Sequence, residues 1–133
     1  MTEHGFPTSI AEVTEDWLTS ALAGAGTLSD GRVTDFSSEP IGQGVGLLGL
    51  LHRITPTYDP DGGSGPASVV LKFPVDHEQT RFLTRTFGFY GKEVAFYRTA
   101  AASTPLATPA CLAADHDPES DDFVLLLEDL SEA

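Results

Sequence analysis

Apolar and polar positions change their period twice along this chain. Trp17, Leu18, Ala21 and Leu22 recur at helical spacing, and the residues before them form a start signal. Thr14 is placed to cap, Glu15 and Asp16 lie where the helix dipole favours negative charge, and Gly24 and Gly26 end the pattern. A helix over about 14–23 is predicted. The pattern then shortens to strands at 33–41, 50–58 and 68–73, the last two joined by the turn-forming run 59–66. After Pro74 it returns to helix, over 78–87 and 89–102. Pro105 and Pro109 mark a loop, 110–114 forms a short strand, 115–122 a polar turn, and 123–127 a strongly apolar strand. No internal repeat is present. This order predicts an α+β fold with about five antiparallel strands and packed helices in one domain.

Composition narrows the function classes. A chain of 133 residues can bury a real core, and 41% hydrophobic with 20% charged residues is the balance of a globular domain. The longest apolar run is only 123–127, so no membrane span is expected. The N-terminus lacks the basic-then-apolar order of a signal peptide, and the single cysteine, Cys111, excludes an internal disulfide framework. A cytoplasmic location is expected. Seven Lys and Arg against twenty Asp and Glu give a net charge of −13, which argues against a nucleic-acid partner.

Four glycines fall within the run 42–49, Gly-Gln-Gly-Val-Gly-Leu-Leu-Gly. Glycine lets backbone N–H groups approach a phosphate without a side chain between them. No Lys-Ser or Lys-Thr follows, which excludes a Walker loop. Gly44, Gly46 and Gly49 match a dinucleotide fingerprint, but that motif must open a helix, and residues 50–58 end in β-branched and turn residues. A glycine hairpin between two strands, covering phosphates, fits better. A hairpin turn without any ligand is the competing reading.

Two charged residues change the picture. Lys72 stands in an apolar strand, on the opposite face from Val69, Leu71 and Phe73. By itself it reads equally as a lysine pointing into solvent. At 100° per residue, Phe89, Tyr90, Val94, Phe96, Tyr97, Ala100 and Ala101 fall on one side of the second helix, with Glu93 near the middle. A carboxylate in a buried stripe is costly unless paired, and Lys92 and Arg98 lie off that stripe. Lys72 is the cation best placed to meet it; a Glu93 that reaches water at the helix edge is the alternative. A glycine hairpin, a strand lysine and a helix glutamate in this order form the phosphate-anchoring apparatus of kinases.

With those residues in place, the chain resembles the small lobe of the aminoglycoside phosphotransferase/choline kinase-like superfamily, nearest to its ecdysteroid-kinase-like and actinobacterial putative phosphotransferase branches. The resemblance runs from about Ile10 onward. It rests on Trp17-Leu18, Ile41-Gly-Gln-Gly-Val-Gly, the run 65–74 around Lys72, Tyr90-Gly-Lys-Glu-Val-Ala-Phe-Tyr, and Leu125-Leu-Leu-Glu-Asp-Leu. It implies an ATP-binding lobe over 1–133 in which Gly42, Gln43, Gly44, Val45 and Gly46 line the nucleotide phosphates. Lys72 would bind the α- and β-phosphates, Glu93 would orient it, and the backbone of Glu128, Asp129 and Leu130 would meet adenine. The intact protein would transfer the ATP γ-phosphoryl group to a hydroxyl of a small-molecule acceptor. Such proteins place the catalytic His-Gly-Asp loop and the Mg2+ ligands in a second lobe. None of the four His here precedes Gly-Asp, so no catalytic or metal residue is expected in this chain. The fragment alone is then expected to be inactive, completed by a separate C-terminal lobe or by self-association. A stand-alone, non-catalytic binding module is the alternative.

Overall fold

A computed structural model describes residues 6–28, 31–41, 49–59, 65–75, 77–99 and 110–129. Strands β1 (Arg32–Ile41), β2 (Gly49–Asp59), β3 (Val69–Pro74), β4 (Cys111–Asp117) and β5 (Asp122–Glu128) form one antiparallel sheet in the order β1-β2-β3-β5-β4. Three α-helices are described with it: α1 (Glu15–Gly24), α2 (Glu78–Phe87) and α3 (Phe89–Thr99). The α+β class and the five antiparallel strands are those the sequence pattern predicts. No described helix is long and apolar enough to cross a membrane.

Helix α1 forms as its sequence dictates. Thr14 Oγ1 accepts from the Trp17 backbone N–H at 3.0 Å, and Glu15 and Asp16 occupy the first turn. Leu18 and Leu22, one turn apart, are fully buried against the sheet. The Val33 N–H donates to Thr19 Oγ1 at 2.9 Å, tying α1 to the first strand. The helix contacts both edge strands, β1 and β4, so the sheet curls around it. A short 3-10 turn (Ile10–Glu12) precedes it; the sequence pattern gave no sign of this turn.

Helices α2 and α3 are joined by Gly88, whose φ of 66° is the left-handed conformation that glycine adopts without penalty. Helix α3 covers the face of the sheet opposite α1, burying Tyr90 and Val94 against Phe123, Leu125 and Leu127. Two expectations need correction. The polar stretch 115–122 is not all turn, because β4 continues through Asp115 and His116 to Asp117 and pairs with β5 up to Asp122. Its polar side chains are tolerated because β4 is an edge strand. The buried stripe of α3 is also narrower than the full apolar set: Phe89 and Phe96 are exposed, and the inward line is Tyr90, Val94 and Tyr97.

Candidate functional site

Strand β3 is covered on both faces, and its alternation decides what each side receives. Val69, Leu71 and Phe73 enter the core beneath α1, while Val70 packs with the α3 cluster. Lys72 shares the Val70 side, so the face opposite Leu71 lies under a helix and not in open solvent. There its ammonium meets Glu93 of α3, with Lys72 Nζ 2.7 Å from Glu93 Oε2. The two side chains retain 19% and 29% of their exposure, so the pair is largely covered but keeps access to solvent. With that access to solvent, the pair adds on the order of 1 kcal/mol to stability.

Gly49 belongs to the same construction. It opens β2 beside the end of β3, and a Cβ there would lie 2.7 Å from Lys72 Cε and 3.0 Å from the Phe73 carbonyl oxygen. The lysine chain therefore runs across a position that only glycine leaves open. The sequence showed Gly49 as the last glycine of a rich run, and its neighbour in space could not be read from that run. Residues Gly42, Gln43, Gly44, Val45 and Gly46 lie outside the described residues, as does Leu130.

Glu93 is held in place by the β4–β5 hairpin, a support the sequence did not reveal. Three residues before Glu93, the buried Tyr90 oxygen accepts from the Val75 N–H at 3.1 Å, and its ring packs 4.4 Å from Phe123. Arg81 of α2 pairs with Asp122 at 3.1 Å and donates to the Ser120 carbonyl, which Arg85 also reaches. His116 Nε2 lies 2.9 Å from Asp121 Oδ1, and its ring abuts Gly91, where an added Cβ would come within 3.2 Å of it. Burial, and then the negative charge of Glu93, push the Tyr97 phenol above its ordinary pKa.

Glu128 ends β5 and Asp129 follows it, three and four residues beyond Leu125, the partner of Lys72, and so at least about 10 Å along the chain. Their side chains are engaged by the sheet. Glu128 Oε1 accepts from the Ala110 N–H at 3.1 Å, and the Glu128 N–H donates to the Ala110 carbonyl at 2.8 Å. Asp129, with 4% of its side chain exposed, accepts from Arg53 Nε at 3.0 Å and Ser68 Oγ at 2.8 Å. Among the described residues no group of three or more His, Cys, Asp or Glu side chains is arranged to hold a metal ion.

No protein family, curated protein or solved structure matches the chain. The chemistry must be argued from the site itself. It offers a lysine fixed by a carboxylate from a neighbouring helix, beside a glycine that ends a glycine-rich segment.

Proposed function

We propose that this chain is the ATP-binding lobe of a kinase-like small-molecule phosphotransferase of the aminoglycoside phosphotransferase type. The observation that carries the reading is the ion pair between Lys72 on the third strand and Glu93 on α3, at 2.7 Å. An ammonium has three donors, and Glu93 occupies one, which leaves donors for the oxygens of a nucleotide phosphate. The glutamate fixes where the ammonium points, as the helix glutamate does for the strand lysine in protein kinases. In this reading the segment 42–46 supplies backbone N–H groups to the same phosphates, and the backbone of Glu128, Asp129 and Leu130 meets the adenine edge. Magnesium would neutralise phosphate charge when bound, on ligands contributed from outside the described residues. An acceptor hydroxyl on a small molecule would take the γ-phosphoryl group, with catalytic groups contributed from outside the described residues.

Titration with Mg-ATP tests the reading, because a ligand bound only by the folded state raises the melting temperature as its concentration passes Kd. A rise with millimolar Mg-ATP that Lys72→Met removes is expected. No shift at any nucleotide concentration, or an equal shift in Lys72→Met, would refute the lysine's role.

A further inference from the structure

Three local costs converge where α3 meets the β4–β5 turn. Gly91 stands in the first turn of α3, a place where alanine would favour the helix. Among the described residues Asp121 alone holds a non-glycine backbone at positive φ, 61°, a conformation that an L side chain adopts at a penalty. Its carboxylate is buried and Oδ2 has no hydrogen-bond partner, which gives up hydration without return. Costs of this kind persist only where the surroundings demand them, and they gather at functional sites.

One interaction accounts for all three. The Asp121 N–H donates to the Asp117 carbonyl at 2.7 Å, closing a turn that returns the Asp121 carboxylate to His116 on β4. Oδ1 and His116 Nε2 lie 2.9 Å apart, and an added Cβ on Gly91 would lie 3.2 Å from the imidazole Cε1. The first turn of α3 therefore rests on a ring that a buried carboxylate fixes. Tyr90 seats the same turn on β5 through Phe123, and His116 meets it from the β4 edge. Glu93 follows Gly91 by two residues, so the seat of this turn sets where the carboxylate meets Lys72.

We propose that His116 and Asp121 are positioning residues for the Lys72–Glu93 pair. Asp121 fixes the imidazole, the imidazole seats α3 at Gly91, and Glu93 is thereby held within reach of the lysine. The geometry stands on the ion pair alone; the consequence for binding rests on the nucleotide reading. Two measurements on the full chain keep these apart. The first reads the pair without nucleotide, as the rate of Lys72 acetylation by N-hydroxysuccinimide acetate followed by mass spectrometry, with Lys92, the other lysine, as internal reference. His116→Ala should raise the Lys72 rate at least about threefold, toward that of Glu93→Gln, and leave Lys92 unchanged. Asp121→Gly should do the same without lowering the melting temperature, because glycine relieves the positive φ. Asp121→Asn keeps an acceptor for His116 and should restore the wild-type rate. Gly91→Ala, which pushes the helix off the ring, serves as the second variant should His116→Ala unfold the chain. The second measurement is the Kd for Mg-ATP. His116→Ala should weaken it in the wild-type background and add nothing in Glu93→Gln, since both act through one pair. Unchanged Lys72 labelling, an equal rise at Lys92, or additive losses of affinity would overturn the proposal. Raised Lys72 labelling in a chain that never responds to Mg-ATP would uphold the positioning and refute the nucleotide reading.

Discussion

On the face of the sheet under α1, Leu18 and Leu22 close over Ile54, Leu71 and Leu126, and the cluster is apolar throughout. On the face under α3, a smaller cluster of Tyr90, Val94, Phe123, Leu125 and Leu127 is bordered by the Lys72–Glu93 pair, Tyr97 and Cys111. The same strands supply both faces by alternation, so the difference lies in the helices laid against them. The α1 face concentrates apolar burial, and the α3 face combines a smaller core with a partly exposed ion pair. Dense apolar packing and partly buried charge are thus divided between the two faces of one sheet.

Substitutions can break that division in order of size. Leu22→Ala, which empties a fully buried position on the α1 face, should cost about 3 kcal/mol, read by urea denaturation. The fold-corrected response to Mg-ATP should persist wherever the domain remains folded. Gly49→Ala should affect both properties, because the new Cβ meets a backbone carbonyl at 3.0 Å as well as the lysine. A loss of about 2 kcal/mol is expected together with weaker nucleotide binding; loss of stability alone would separate Gly49 from the lysine's path. Glu93→Gln is the converse of Leu22→Ala. It should change the unfolding free energy by less than about 1 kcal/mol while reducing the Mg-ATP shift, measured in the same thermal titration.

The smallest effect concerns His52, the titratable residue that the α1 face accepts beside Ile54. It lines a cavity with Leu50 and Phe73, where Arg81 and Asp122 also contribute, and its buried Nδ1 has no hydrogen-bond partner. Burial lowers its pKa below the ordinary 6.5, so the unfolded chain takes up the proton first as pH falls. Its contribution is therefore fully present above 6.5 and is lost as pH drops from there through the folded value. Melting temperature should fall across that window, and by less in His52→Gln; identical slopes would mean that His52 does not contribute.

Local patterns made most of the elements legible. Thr14, Gly24 and Gly26 bracket α1, and alternation marks β3. The meeting of Lys72 with Glu93 was legible from a carboxylate set among the apolar positions of α3. Glu93 nonetheless lies at the edge of the inward line of Tyr90, Val94 and Tyr97 and keeps 29% of its exposure. What stayed hidden depends on pairs remote in sequence. The role of Gly49 needs the β2–β3 register, and the extension of β4 needs β5 beside it to pair Asp115 and His116. The pattern over 78–87 marks a helix but not its facing: Phe82, Leu83 and Phe87 stay exposed, and Arg81 finds its acceptors on a turn some forty residues on.

The double coverage of β3 has a consequence for folding. Side chains repeat every two residues, so pairing β3 one residue out of step would exchange its two faces. Lys72 would then enter the dry cluster around Leu71 without its glutamate, at a cost of several kcal/mol for an unpaired buried charge. The lysine thus proofreads the alignment of its own strand, rejecting the misaligned sheet before any ligand is present.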